Sequence, residues 1–221
     1  MSTNNYQVYI GGIVGCGSLD SCNSEVEITA FGITSTCYIG GLIGYATTKK
    51  ISYSYNAGNI SVKAYKAGAY VGGLIGYTSF TLAITNSYNM GVIAVDSIEG
   101  NNPTDVGGLI GYTSSSATIT SGYNIGAITV NSASSSIHIG GLAGCYATIK
   151  NSHWLYYEDG APVNAVGYSS GMGGFTNIGA TKHMTISEFY KLADILNEGL
   201  DEPAFENKTA SSLPTLIKKE N

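Results

Sequence analysis

The chain has 221 residues, of which 43% are hydrophobic and 11% are charged, and its formal net charge is −5. A low charged fraction together with 17 Tyr excludes the composition that is typical of disordered chains. All ten basic residues are Lys and most are scattered, which argues against nucleic-acid binding, and no apolar run reaches the ~18–20 residues of a membrane span.

A double-glycine segment recurs along the chain, three times as the identical sequence GGLIGY. The first glycines of the five pairs are separated by 29, 32, 35 and 33 residues. They are Gly11, Gly40, Gly72, Gly107 and Gly140. A fixed period near 33 residues indicates a stacked repeat architecture, in which each unit buries its apolar face against its neighbours.

Two further segments recur between the double glycines. The first ends in Tyr-Asn, at Tyr55-Asn56, Tyr88-Asn89 and Tyr123-Asn124, and the second has the form Ile-x-Val, as in Ile60–Val62. Their apolar residues alternate at period two, as in half-buried strands. Each repeat therefore holds three extended segments separated by Gly, Asn and Ser clusters.

This pattern predicts an all-β fold, a right-handed parallel β-helix of about five three-strand coils of ~33 residues. Glycine allows positive φ and close backbone approach, so GGLIGY is interpreted as a folding signal without chemistry. Of its two central apolar residues, we expect one to fill the core and the other to pack under a loop or stay partly exposed. The Asn column, Asn56, Asn89 and Asn124, is predicted to form a hydrogen-bonded ladder that Asn23 extends.

The repeat pattern breaks near residues 151–157, where Trp154 takes the place of the ladder Asn. Thr185-Ile-Ser-Glu188 then reads as a capping box that opens an amphipathic helix over about 185–198. We expect a solenoid over 1–157 and, over 158–221, a capping segment that covers the open solenoid end and contains this helix. Since the first repeat begins at Tyr9, we also expect the chain to be part of a longer protein whose export signal lies upstream.

The repeats resemble the GLUG-motif repeats, named for Gly-Leu-(apolar)-Gly. The motif stands at 41–44, 73–76, 108–111 and 141–144, and 12–15 departs from it by having Ile13 in place of Leu. The C-terminal NSHWLYY, ILNEG and LPTL segments are similar to the ends of surface proteins of this group. The resemblance implies extracellular or cell-surface display in bacterial adhesins or as accessory segments of immunoglobulin A peptidases, and it brings no catalytic residues.

No catalytic or metal-binding motif is apparent, so no catalytic residue, metal or cofactor is assigned. His138, His153 and His183 lack ligand spacing, and the four Cys are interpreted as packing thiols. Glu25 and Glu27, predicted on one strand, form the best carboxylate pair for polysaccharide chemistry, but they are interpreted as a solvated face. Asp96, Glu99 and Asp105 are considered as a weak Ca²⁺ site in one loop.

The sequence thus favours a non-catalytic surface module, an adhesin or a rigid display stalk that binds host glycan, glycoprotein or matrix protein. The alternatives are a carbohydrate-active β-helix and a spacer segment of a large surface peptidase. For ligand binding the candidates are loop aromatics, Tyr65, Tyr70 and Phe80, because binding residues favour loops on a rigid scaffold.

Overall fold

The computed structural model describes residues 6–99, 102–155, 162, 164–168, 177–178 and 182–217. Its strands stack in parallel, in register, to form five ladders that run along a solenoid of about five turns. The all-β solenoid prediction is confirmed. Corner loops of three and four residues separate successive coils at 66–68 and 133–136.

Three extended segments per coil are present, but two of them bend in the middle, so that a complete coil carries five short strands. The double-glycine segment supplies the first two ladders. The first ladder contains Val8–Gly11, Cys37–Gly40, Ala69–Gly72, Thr104–Gly107 and Ile137–Gly140. The second ladder contains Val14–Gly17, Ile43–Ala46, Ile75–Thr78, Ile110–Thr113, Ala143–Cys145 and Val166–Tyr168.

The Tyr-Asn segment supplies the third and fourth ladders, and the Ile-x-Val segment supplies the fifth. The third ladder contains Lys50–Ser52, Leu82–Thr85, Ala117–Thr120, Ala147–Lys150 and Asn177–Ile178. The fourth contains Asn23–Ser24, Tyr55–Asn56, Tyr88–Asn89, Tyr123–Asn124, His153–Leu155 and Lys182–Met184. The fifth contains Ile28–Ile33, Ile60–Tyr65, Ile93–Ile98 and Ile128–Ser132.

The glycines let the first and second ladders pack back to back without side chains between them. A Cβ on Gly76 would lie 2.3 Å from the backbone nitrogen of Ile39, and one on Gly72 would lie 2.1 Å from the carbonyl oxygen of Ile75. Positive φ is not the reason for these glycines, since the described glycines with positive φ are Gly17, Gly32 and Gly199. Close backbone approach is therefore what the motif requires.

Because the chain reverses at the double glycine, the interior is divided into two cores. One core lies between the second and third ladders, where both Leu74 and Ile75 are fully buried. The other lies between the first and fifth ladders, where Ile39 and Val62 meet. The expectation that only one of the two apolar residues of GGLIGY faces a core was wrong for the middle copies, because the bend falls beside these residues and turns both inward.

The predicted Asn ladder is present. Asn56 Nδ2 donates to Asn89 Oδ1 at 2.9 Å, and Asn89 Nδ2 donates to Asn124 Oδ1 at 2.8 Å. The strand register places Ser24, not Asn23, beneath Asn56, and it places Trp154 above Asn124. The ladder is buried, so each amide must find its partners within the protein.

Parallel pairing continues beyond residue 157 to Met184. The boundary predicted at 157/158 lies outside the described residues, but Asn164–Tyr168 follows the register of the GLUG segment without its double glycine. The predicted helix over 185–198 is interrupted and forms two short helices, α1 (Ile186–Phe189) and α2 (Leu192–Leu196). None of the helices among the described residues could span a bilayer.

The described part of the C-terminal segment packs on the side of the solenoid. Phe189, Leu192 and Phe205 join a cluster with the fourth-ladder tyrosines Tyr88 and Tyr123. A two-stranded antiparallel sheet, Phe205–Asn207 with Pro214–Leu216, completes this segment. The described part of this segment thus lies along the flank, where the stacked tyrosine rings offer an apolar surface, and its covering of the solenoid end stays a prediction.

Candidate functional site

Tyrosines line the outer surface where the first and second ladders meet. Strand register aligns Tyr9, Tyr38 and Tyr70 in the first ladder, and Tyr45, Tyr77 and Tyr112 in the second. We call these six residues the tyrosine ridge. It is a product of the repeat, since each of its residues stands at a fixed distance from a double glycine.

The two columns of the tyrosine ridge interleave because the glycine faces bring their strands together. The ring centroids of Tyr38 and Tyr77 lie 4.6 Å apart and are stacked, and those of Tyr77 and Tyr112 lie 5.7 Å apart. Such offset ring contacts add ~0.5–1.5 kcal/mol to simple burial. The ridge is therefore a preformed surface whose rings are held by one another.

The hydroxyl groups of the ridge contact nearby polar side chains, which are the Gln7 amide for Tyr9 and Tyr38 and serine hydroxyls for Tyr45 and Tyr77. Tyr45 Oη lies 2.7 Å from Ser79 Oγ, and Tyr77 Oη donates to Ser114 Oγ at 3.0 Å. Burial, together with the neighbouring tyrosines, raises the pKa of Tyr38 to about 12. The ridge thus presents aromatic rings and uncharged hydroxyls, with Tyr9 as its most exposed member at 37%.

Three polar side chains replace tyrosine at the far end of the ridge. Asp105 and His138 continue the column of Tyr70, and Cys145 continues the column of Tyr112. We call Asp105, His138 and Cys145 the polar cluster. Within it, His138 Nδ1 lies 2.5 Å from Asp105 Oδ1 and 3.7 Å from Cys145 Sγ, while the thiol donates to Asp105 Oδ1 at 3.1 Å.

The polar cluster is largely shielded from water, and this burial controls its ionisation. Asp105 and Cys145 are each 1% exposed. Burial raises the pKa of the Asp105 carboxyl, although the hydrogen bonds from Cys145 and His138 oppose the shift. Burial, then the charge of Asp105 and the thiol's hydrogen bond to it, raise the pKa of the Cys145 thiol.

A cavity of about 300 Å³ opens over the polar cluster. Its walls include Tyr70 and Tyr112 of the ridge, together with Tyr146 and Tyr168. The ring of Tyr168 lies 4.5 Å from that of His138 and covers one face of the imidazole. The ridge therefore ends in a small hollow that has three polar side chains at its base.

The geometry of the polar cluster does not form a nucleophile–base–acid relay. In such a relay the two imidazole nitrogens contact different partners, one the nucleophile and the other the carboxylate. Here Nδ1 is the nitrogen that lies near both Asp105 and Cys145. Among the described residues, these three side chains are the set of His, Cys and carboxylate groups close enough to share one metal ion.

The sequence interpretation treated His138 and Cys145 as structural residues and assigned no metal site. A signal for part of the cluster was present, since Asp105 and His138 occupy the position two residues before the double glycine where three other repeats have Tyr. Their convergence with Cys145 depends on the contact between two ladders, which spacing alone does not give.

The predicted loop aromatics are not brought together as one loop site. Tyr65 ends a fifth-ladder strand, and Phe80 lies in the short connection between the second and third ladders. Both are exposed, at 36% and 40%. Tyr70 is on a first-ladder strand within the tyrosine ridge, not in a corner loop.

The carboxylates considered from the sequence do not converge. Glu25 and Glu27 are exposed and precede the strand Ile28–Ile33 instead of lying on it. Glu99 forms an exposed ion pair with Lys66 at 3.3 Å, and Asp96 is exposed on the fifth ladder. Since Asp105 is buried in the polar cluster, the loop Ca²⁺ site is not formed.

Comparison with known proteins supports the repeat assignment. The family model described as "The GLUG motif" matches residues 35–61, which confirms the resemblance to GLUG-motif repeats. No curated protein matches the sequence. A crystal structure of a "putative immunoglobulin A1 protease" from Bacteroides ovatus is similar at a TM-score of 0.47 and 15% identity, over 98% of this chain and 76% of that one. A likeness at this level carries no argument about activity.

Proposed function

We propose that this chain is a non-catalytic module of a bacterial cell-surface or secreted protein and that it binds glycans along the tyrosine ridge. The observation that carries the proposal is the continuous, interlocked stack of six tyrosines along one edge of a rigid solenoid. Preorganised aromatic surfaces lose little conformational entropy on binding, which favours recognition of a ligand.

The chemistry of the ridge suits a neutral, polyhydroxylated ligand. Aromatic rings offer apolar faces, while the tyrosine hydroxyls and the adjacent Ser79 and Ser114 offer hydrogen bonds without charge. An extended glycan can follow the ridge because the tyrosines repeat from coil to coil in register. A glycoprotein or matrix protein would be bound through the same chemistry of its attached sugars.

Two features favour a binding role over catalysis. The polar cluster lacks a relay geometry, and its thiol is held in the protonated form by burial beside a carboxylate. Among the described residues, the cavity lining contains one carboxylate, Asp105, whereas glycosidases use two that flank the scissile bond. A display role on a larger surface protein, including one that carries a peptidase domain, is compatible with the same module.

An array of glycans and matrix glycoproteins, probed with the chain and with ridge variants, tests this proposal. We expect saturable binding that Tyr77→Ala weakens at least ~10-fold, because truncating a central aromatic anchor costs about 2 kcal/mol. Phe80→Ala and Tyr65→Ala serve as matched controls, since both residues are exposed aromatics outside the ridge. Circular dichroism checks that each variant is folded.

Three outcomes of the glycan array would contradict the proposal. Binding that is lost in the controls but kept in Tyr77→Ala would transfer the site to the loops and overturn the ridge proposal. Release of shortened glycans from a bound polysaccharide would overturn the non-catalytic assignment. Absence of saturable binding across the array would count against a glycan-binding role and leave the stalk function as the better account.

A further inference from the structure

The polar cluster brings three different metal-ligating atoms to one point. Asp105 Oδ1, His138 Nδ1 and Cys145 Sγ lie within 4.8 Å of one another. They come from two adjacent coils, because Asp105 and His138 are neighbours along the first ladder and Cys145 is on the second-ladder strand of the coil that contains His138. Their convergence is therefore fixed by the solenoid and not by a flexible loop.

We propose that Asp105, His138 and Cys145 bind a zinc ion, with the fourth coordination position open to the cavity above them. The mixture of thiolate, imidazole and carboxylate is a donor set that zinc accepts in proteins, and three protein ligands with one open position are typical of accessible zinc sites. The hard cations Ca²⁺ and Mg²⁺ prefer oxygen ligands and are not suited to this set.

The distances between the donors fit a zinc ion after a small adjustment. Ideal tetrahedral bonds of ~2.0–2.3 Å place the donor atoms roughly 3.4–3.6 Å apart. The Sγ–Nδ1 distance is 3.7 Å, the Sγ–Oδ1 distance is 3.1 Å and the Nδ1–Oδ1 distance is 2.5 Å. The sulfur and the imidazole are thus already placed, and the carboxylate needs to move by about 1 Å or less.

Charge balance favours the same occupant. On binding, the Cys145 thiol loses its proton to solvent, and the thiolate and the Asp105 carboxylate neutralise the two charges of Zn²⁺. The metal would replace the hydrogen bonds by which the thiol and the imidazole now share one carboxylate oxygen. Tyr168 holds the imidazole from one side, and the cavity of about 300 Å³ leaves room for a water or a ligand oxygen on the metal.

The other cysteines offer a matched control. Cys16 takes the place in the second ladder that Tyr45 takes one coil further on, so it belongs to the same column as Cys145. It is exposed, and its neighbours in the first ladder are tyrosines and not Asp or His. Cys16→Ser therefore removes a thiol of the same column without touching the proposed ligands.

Competition of the metal-free chain with a chromophoric chelator for ZnCl₂ tests the proposal, with Co²⁺ as a spectroscopic substitute. We expect one zinc per chain, binding weakened at least ~100-fold by Cys145→Ser and by His138→Gln, and unchanged binding in Cys16→Ser. The Co²⁺ form of the wild-type chain should show a thiolate-to-metal charge-transfer band that disappears in Cys145→Ser. Zinc should also raise the melting temperature of the wild-type chain.

Three outcomes would overturn the proposal. One is the absence of zinc binding at micromolar concentrations, and another is equal binding by Cys145→Ser and the wild-type chain. The third is loss of binding in Cys16→Ser, which would place the metal at an adventitious surface thiol. Should Cys145→Ser fail to fold, the Co²⁺ spectrum of the wild-type chain still decides, since a spectrum without a thiolate band excludes Cys145 as a ligand.

Discussion

Replacing Asn89 with alanine removes the central amide of the buried Asn ladder. Asn89 Nδ2 donates to the Gly91 carbonyl and to Asn124 Oδ1, both at 2.8 Å. Its Oδ1 accepts from Asn56 Nδ2 at 2.9 Å and from the Gly91 amide at 3.3 Å. At a net value of about 1 kcal/mol for each hydrogen bond, we expect the free energy of unfolding to fall by about 4 kcal/mol.

Equilibrium urea unfolding followed by circular dichroism measures this loss, with Asn59→Ala as the matched control. Asn59 is exposed; its Nδ2 donates to Glu27 Oε1, and its Oδ1 accepts from the Val92 N–H. Because water can replace both partners, its replacement should cost less than about 1 kcal/mol. The comparison requires equal m-values, since a change in m reports a change in the denatured state. A cost for Asn89→Ala that equals that of Asn59→Ala would refute the reasoning, because water would then be replacing the ladder bonds without loss.

Three further predictions concern the glycine layer, the C-terminal segment and the buried thiols. Gly72→Ala places a Cβ 2.1 Å from the Ile75 carbonyl oxygen, so we expect the melting temperature to fall by more than ~10 °C. The control is Gly68→Ala, which should be tolerated because the nearest atom to its new Cβ would be 3.3 Å away. Equal melting temperatures for the two variants would contradict this prediction. Tyr123→Phe removes the buried hydroxyl that donates to the Pro214 carbonyl, so it should lower the free energy of unfolding by about 1–2 kcal/mol and speed proteolysis within 186–216. The control Tyr45→Phe loses a surface hydrogen bond to Ser79 and should have neither effect. Burial raises the pKa of the Cys37 thiol to about 12, so iodoacetamide at pH 8 should label exposed Cys16 and spare Cys37. Since the folded-state pKa of Cys37 lies above its ordinary value of 9.0, the contribution of the protonated thiol to stability is complete below pH 9 and is lost as the pH rises toward 12. In urea titrations at different pH values, Cys37→Ala should therefore flatten this alkaline decline in the free energy of unfolding.

The solenoid could be predicted from the sequence because the residues that specify it recur periodically. Double glycines and Tyr-Asn pairs recur at nearly constant spacing, and stacking such units places Asn89 above Asn56 and Tyr88 above Tyr55. The bends within the coil were not predicted, since they depend on contact between two sheets. A single repeat does not reveal that Gly76 must lie against Ile39 of the preceding coil.

Elements beyond the regular repeats were harder to predict. Asn164–Tyr168 follows the GLUG register but lacks the double glycine, so this additional second-ladder strand could not be predicted from the repeat pattern. The α1–α2 pair was predicted as one helix, and its docking along Tyr88 and Tyr123 depends on ring stacking that only the assembled fourth ladder provides. For the polar cluster, the sequence shows that Asp, His and Cys replace Tyr at repeat positions, but it does not show that the three side chains lie close together.

The glycine layer between the two cores has a mechanical consequence. The layer consists of backbone in direct contact with backbone, and an apolar core lies on either side of it. Bending such a rod requires the two back-to-back sheets to slide past each other, and at the glycine positions no side chain lies between them to absorb the movement. Side chains hop between rotamers, whereas close-packed peptide planes have no comparable freedom. A motif of three glycines, residues usually associated with flexibility, thus stiffens this molecule along its length.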